Sequence, residues 1–139
     1  MTGLTLEIIT PDRISFKGDI QSITIPGTDG SFQVLKNHAP LMSTFEIGEI
    51  KVVLYDNNQK NYSTGGGTVE VLKNHVLVLA DSLEEIEDID VERARSAKER
   101  AENRLSRRTD TTDVERAENA LKRAINRLRL VEKHIRAEV

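Results

Sequence analysis

Cysteine is absent from the 139 residues. That excludes a disulfide framework, a Cys-zinc site, an iron–sulfur cluster and a thiol nucleophile, and it suits a reducing compartment. Aromatic residues are scarce, at 4% of the chain. No apolar run approaches the roughly 20 residues that span a bilayer. Residues Met1 to Thr10 lack the basic region and apolar core of a secretory signal. The expectation is a chain that, if it works at a membrane, is held there by another chain. An excess of one charge is also missing: 20 Lys+Arg stand against 23 Asp+Glu, for a net charge of −3. This balance excludes a generally basic nucleic-acid binder. Charges interleaved with apolar residues exclude a disordered acidic tail.

What is present divides sharply. All eight Gly, all three Pro and all five aromatics (Phe16, Phe32, Phe45, Tyr55, Tyr62) lie before residue 68. Residues 84–139 carry 14 basic and 14 acidic side chains, half of that segment. A chain of 15.6 kDa is one domain or two small ones, and it buries about two-thirds of its unfolded surface.

The first part reads as strands. Thr5-Leu6-Glu7-Ile8 and Gln21-Ser22-Ile23-Thr24-Ile25 alternate with period two. Ser31–Leu35, Glu49–Leu54, Thr68–Leu72 and His75–Ala80 are further candidates. Turn chemistry separates them at Pro11-Asp12, Lys17-Gly18-Asp19, Pro26-Gly27, Asp29-Gly30, Asp56-Asn57-Asn58 and Gly65-Gly66-Gly67. Short strands punctuated in this way argue for a sandwich or a barrel, and no helix-length pattern interrupts them to suggest a βαβ fold.

The second part reads as two helices. Val114, Ala117, Leu121, Ala124, Leu128, Val131 and Ile135 form an unbroken a/d seam. Val91, Ala94, Ala97, Ala101 and Leu105 form a narrower stripe, mostly alanine, which lets two helix axes approach closely. Asp90 and Asp113 stand where N-caps belong. The connector Arg107-Arg108-Thr109-Asp110-Thr111-Thr112 is short and polar, which favours an antiparallel hairpin. Residues 90–105 and 113–128 share 11 identities in 16 at an offset of 23. Both an internal repeat and two ordinary helices drawn from a Glu/Arg/Ala-rich pool account for this. Alanine buries little area, at ~25 cal/mol per Å², and isolated helices near 15 residues are marginal in water. The hairpin therefore needs the β domain, a partner or a ligand, and it reads as a movable element.

No catalytic constellation stands out. His38, His75 and His134 are scattered, His38 reads as a turn histidine, and metal-ligand spacing is absent. The triple glycine is followed by Thr68-Val69-Glu70, which continues a strand, so it is a bulge or turn and not a phosphate loop. The arginines carry the chemistry. Asp90 and Arg93 share a helix face, Arg100 returns to it and Arg104 lies one turn further. Arg123 and Arg127 are four apart on the second helix. Arg93, Arg100, Arg104, Arg123 and Arg127 each sit one residue before a seam position, on the flank of the seam. When the hairpin folds, guanidiniums from both helices converge on one anion, whose phosphate oxygens suit the planar arginine fork. The competing reading is that alternating helical charges form solvated i,i+4 pairs.

Ile25-Pro26-Gly27-Thr28-Asp29-Gly30-Ser31-Phe32, followed by Asn37-His38-Ala39-Pro40-Leu41, resembles the β-domain signature of the epsilon subunit of the bacterial rotary ATP synthase. Gly65-Gly66-Gly67-Thr68-Val69-Glu70-Val71 and Val78-Leu79-Ala80-Asp81 are similar to later strands of that domain. The resemblance implies a ten-stranded β-sandwich at residues 1–84 and an antiparallel two-helix hairpin at residues 85–139. It implies a non-catalytic central-stalk subunit of a proton-translocating complex. The sandwich would bind the gamma subunit and the c-ring, with Asp29–Gln33 and Leu41–Phe45 as candidate c-ring turns. The hairpin would either fold down or extend along gamma towards the alpha and beta subunits, and its extended state would inhibit ATP hydrolysis. The implied location is the cytoplasmic face of the cell membrane, peripheral and without insertion.

Ile89-Asp90-Val91-Glu92-Arg93-Ala94 matches the family's ATP-binding motif, Ile/Leu-Asp-x-x-Arg-Ala. By resemblance the nucleotide residues are Glu84, Ile89, Asp90, Arg93, Ala94, Arg100, Arg123 and Arg127, with ATP a regulatory ligand and no metal or required cofactor. Asp90 accepts from the adenine amino group or simply caps the helix. Asp113-Val-Glu-Arg-Ala follows Thr112 and departs from the motif, so no nucleotide is assigned to it. The alternative is a purely structural coupling module that binds no nucleotide.

Overall fold

The computed structural model describes residues 3–137. Contacts divide it between Glu85 and Ile86 into two compact units. The first unit holds seven strands: β1 (Leu4–Thr10), β2 (Arg13–Gly27), β3 (Gly30–Leu35), β4 (Leu41–Leu54), β5 (Gln59–Leu72), β6 (His75–Ala80) and β7 (Leu83–Glu85). Their order is β1-β6-β5-β4-β2-β3, with β7 beside β5. β1 also pairs with β2, which closes the sheet on itself. Closure satisfies the backbone groups that an open edge would leave exposed. β1 runs parallel to β6, from Thr5 opposite His75 to Ile9 opposite Leu79, and antiparallel to β2.

The core follows from alternation. Leu4, Leu6 and Ile8 of β1 point inward and are buried, while the residues between them face out. Ile23, Ile25, Val52, Val69, Val76 and Val78 continue the same interior from the other strands. Seven strands stand where the family resemblance implies ten. The reason is length: β2, β4 and β5 run for 15, 14 and 14 residues. The β2–β4 ladder slips between Ile20 and Ser22 and again between Thr24 and Gly27, as a strand does where it bends. β5 changes partner midway, from β7 at Tyr62–Thr64 to β6 at Gly67–Leu72. Counting each long strand as two segments restores the implied ten.

Five expected turns are wholly or mainly strand instead. Pro26-Gly27 ends β2, paired with Ser31 and Gly30, and Asp29–Gln33 belongs to β3 from Gly30 onward. Lys17-Gly18-Asp19 lies inside β2, with Gly18 opposite Leu6. Leu41–Phe45 is the start of β4, paired with Val71–Gly67. Gly65-Gly66-Gly67 lies inside β5 where that strand changes partner. Gly66 has φ +100°, a conformation that only glycine adopts readily. A Cβ on Gly67 would stand 2.0 Å from the carbonyl oxygen of Leu79. Glycine is required there by the approach of β6. The turns at Pro11-Asp12 and Asp56-Asn57-Asn58 form as expected, the second with the N–H of Asn58 donating to Asp56 Oδ1 at 3.0 Å.

The second unit begins with a 3-10 turn (Ile86–Asp88), followed by α1 (Val91–Ser106) and α2 (Val114–Ala137). Both helices start on the expected caps. Asp90 Oδ1 accepts from the N–H of Arg93, and Asp113 Oδ1 from that of Arg116. Ala94 and Ala101 of α1 are buried, as are Ala117 and Ala124 of α2. These are matching positions of the offset-23 repeat.

The expected seam fails at its end. Ile135 is 57% exposed, whereas Leu130, outside the seam, is 0% exposed. α1 has 16 residues and α2 has 24. At ~1.5 Å per residue, α2 is longer by roughly 12 Å, so its last turns have no α1 beside them. Ile86 and Ile89 cover that stretch, packing on Leu130 with Val131 at the border.

Candidate functional site

The site is built on the hairpin, and its frame is the alanine seam. Small side chains let α1 and α2 lie close. In an antiparallel pair the residue preceding a seam position falls on the same flank of both helices. Arg93 and Arg100 precede the buried Ala94 and Ala101, and Arg116 and Arg123 precede the buried Ala117 and Ala124. Arg104 precedes Leu105 and Arg127 precedes Leu128. The backbone thus brings the arginines of both helices to one flank. Arg93, Arg100 and Arg104 are exposed, and Arg123 and Arg127 are half-buried.

On the later turns of α2 that flank is partly sheltered. Along α2, Asn119 and Arg123 are half-buried, and Asn126 and Leu130 are buried, at 6% and 0% exposure. Ile125, on the other side, is 43% exposed. The buried stripe of α2 therefore veers off its apolar seam towards the arginines. Hydrophobicity does not reveal Asn119 or Asn126. Their signal is the 3–4 spacing that carries them along the face of Arg123. Asn126 Oδ1 accepts from Arg129 Nη2 at 3.0 Å, so its burial is satisfied.

Charge pairing separates two classes of arginine. Arg95 pairs with Glu92 at 3.1 Å and Arg136 with Glu132 at 2.6 Å, both on exposed faces. Among the described residues, Arg93, Arg100, Arg116 and Arg123 have no carboxylate within salt-bridge distance. Solvated i,i+3 or i,i+4 pairing thus describes Arg95 and Arg136 on the outer faces of the hairpin, and not Arg93, Arg100, Arg116 or Arg123 on the flank.

The remaining candidates have structural places of their own. Ala94 lies in the helix–helix seam, and Ile89 is buried against Ile86 and Leu130. Asp90 is the cap of α1 through Oδ1, and its second oxygen keeps its acceptor capacity. Glu84 belongs to β7 of the first unit, half-buried and opposite Ser63 of β5. An open groove of about 290 Å³ on α2 is lined by Asp113, Glu115, Arg116, Asn119 and Arg123. It includes Arg123 and none of the other nucleotide candidates. Among the described residues no helix is long and apolar enough to cross a membrane.

Residues 3–86 match the family described as ATP synthase, Delta/Epsilon chain, beta-sandwich domain, and residues 87–132 match its long alpha-helix domain. The chain is 43% identical over 110 residues to the ATP synthase epsilon chain of Salinibacter ruber, covering 73% of this chain and 74% of that one. It is 47% identical over 104 residues to the ATP synthase epsilon chain of Pelotomaculum thermopropionicum, covering 75% and 77%. Among solved structures, the fold is similar to a chain of the Euglena gracilis mitochondrial ATP synthase. The TM-score is 0.76 at 21% identity, over 88% of this chain and 77% of that one. A chain from the central stalk/c-ring structure of the Tetrahymena thermophila mitochondrial ATP synthase aligns with a TM-score of 0.60 at 16% identity, over 95% and 96%.

Proposed function

We propose a role for this chain from the family to which it belongs, the ATP synthase delta/epsilon chains. It is an epsilon-type, non-catalytic subunit of the central stalk. Its sandwich is the anchor that contacts the gamma subunit and the c-ring, and its hairpin is the element that reaches the alpha and beta subunits. It is held at the cytoplasmic face of the membrane through the complex, in a proton-translocating enzyme.

The finer reading concerns ATP. The hairpin has two states, folded and extended, and the extended state inhibits ATP hydrolysis. ATP binds the folded state better and shifts the population towards it. For that shift to matter, the difference in affinity must reach a few kcal/mol. The observation that carries this reading is the flank itself. Arginines from two helices share one side, and Arg93, Arg100 and Arg123 have no carboxylate partner among the described residues. Like charges so placed repel, and a polyphosphate between them removes the repulsion. ATP is sensed and not hydrolysed, because the triple glycine runs through a strand and opens no helix.

Calorimetric titration of ATP into the full chain tests the site. Arg93→Ala and Arg127→Ala should each weaken binding about tenfold or more, which is ~1.4 kcal/mol. Arg95→Ala, at the outward arginine paired with Glu92, should leave it within about twofold, or ~0.4 kcal/mol. Equal affinities across the three variants would remove the nucleotide site. The purely structural reading then stands, and it has one observation in its favour: the groove on α2 gathers Arg123 with acidic neighbours and with no other nucleotide candidate.

A further inference from the structure

Leu130 is fully buried although it lies outside the apolar seam of α2. It packs with Ile86 and Ile89 in a cluster of its own, bordered by Val131. Elsewhere the fully covered seam positions of the hairpin are alanines: Ala94, Ala101, Ala117 and Ala124. Alanine contributes little transfer free energy compared with a buried Leu or Ile. The buried large apolar side chains of the second unit are therefore gathered at one end, where the last third of α2 meets the segment that leads into α1, while the seam leucines Leu105, Leu121 and Leu128 are only half-buried. Any motion that parts α2 from that segment must draw Leu130 out from Ile86 and Ile89.

We infer that Ile86, Ile89 and Leu130 form a latch that sets how often the hairpin opens. Ile89 immediately precedes the Asp90 cap, so a closed latch also fixes the start of α1, from which Arg93 projects. Leu130 follows Arg116 and Arg123 at steps of seven, on the arginine flank. A ligand held on that flank and the closed latch stabilise the same arrangement, so each favours the other. This last consequence rests on the nucleotide reading above; the latch does not.

Hydrogen exchange of the full chain without nucleotide tests the latch. Leu130→Ala removes the buried side chain, and Ile135→Ala makes a similar truncation at an exposed position of the same helix. Leu130→Ala should speed exchange over residues 126–137 by about tenfold or more, because opening becomes cheaper by a cavity-sized amount. Ile135→Ala should stay within about twofold of the parent. If Leu130→Ala also loosens the sandwich strands, Leu130→Val, which deletes one methylene, replaces it and should give a smaller increase confined to the hairpin. Unchanged exchange in Leu130→Ala, or equal increases in both alanine variants, would overturn the latch. ATP titration of Leu130→Ala separates the two ideas. Weaker binding, with every arginine intact, supports the coupling. A parent chain that binds no ATP while Leu130→Ala still opens the hairpin keeps the latch and discards the nucleotide reading.

Discussion

Asp90 and Asp113 do the same work in successive helices: each Oδ1 accepts the backbone N–H three residues on, from Arg93 at 3.2 Å and from Arg116 at 3.0 Å. They are also equivalent positions of the offset-23 repeat. Asp90→Ala and Asp113→Ala should each cost about 1 kcal/mol, the usual worth of an aspartate cap. Melting followed by the helical circular dichroism signal checks this. Asn caps nearly as well as Asp, so Asp90→Asn separates the roles. Stability should be retained, while a loss of ATP affinity in that variant would assign the carboxylate a part beyond capping.

Saturating ATP should protect the hairpin from hydrogen exchange and leave the sandwich strands unchanged. A ligand at one hundred times its dissociation constant adds ~2.7 kcal/mol to the form that binds it, so amides in α1 and α2 should slow by up to about a hundredfold. Exchange read segment by segment is the right measurement, since two compact units need not melt together. Identical protection with and without ATP would favour the purely structural coupling module.

Gly67→Ala should destabilise the sandwich by roughly 2–4 kcal/mol, in the range for strain at a packed backbone. Its Cβ would meet the Leu79 carbonyl oxygen at 2.0 Å, and backbone cannot yield there as a side-chain tip can. Gly18→Ala is the control. Its nearest neighbour is the Phe16 ring at 3.8 Å, so the new methyl group fits. It should be neutral or stabilising by up to ~1 kcal/mol. Chemical denaturation of both variants decides whether residues 17–19 behave as strand.

Alkaline pH should weaken the sandwich through Tyr62. Burial, and secondly the Glu85 carboxylate, push its hydroxyl from 10.0 up to about 12. The fold holds the neutral phenol, whereas the unfolded chain releases the proton near pH 10. The contribution is fully present below pH 10 and is lost as pH rises towards 12, at a rate of at most ~1.4 kcal/mol per pH unit. Tyr62→Phe should flatten the stability profile across that window, measured by denaturation at a series of pH values.

Much of this was legible in the residue pattern, and the exceptions share a cause. β1 and the middle of β2 announce themselves by alternation, because one face of each meets an apolar interior, and β6 by an unbroken apolar run, Val76 to Ala80. The first half of β5 does not. Its buried residues are Tyr62, Ser63 and Thr64, and Thr64 Oγ1 donates to the carbonyl oxygen of Ser82 at 2.9 Å. A strand whose inner face is polar and satisfied leaves no hydrophobic signal. Leu130 is hidden for a related reason. What covers it is Ile86 and Ile89, about forty positions earlier, and periodicity within α2 carries no record of them. Helix spacing did show the shared flank of the arginines, since it is a property of the backbone repeat. That Arg93, Arg100, Arg116 and Arg123 have no carboxylate partner among the described residues is a property of side-chain placement, which spacing does not record.

The placement of β1 has a consequence for how the protein is made. That strand is hydrogen-bonded on one side to β2, which follows at once, and on the other to His75–Leu79, which is translated some seventy residues later. A nascent chain can form the β1–β2 hairpin early, but the ring cannot shut until β6 has left the ribosome. Such distant pairing is slow, and until it occurs the free side of Leu4–Thr10 is an unpaired edge. The sandwich therefore completes itself only as the hairpin is being synthesised.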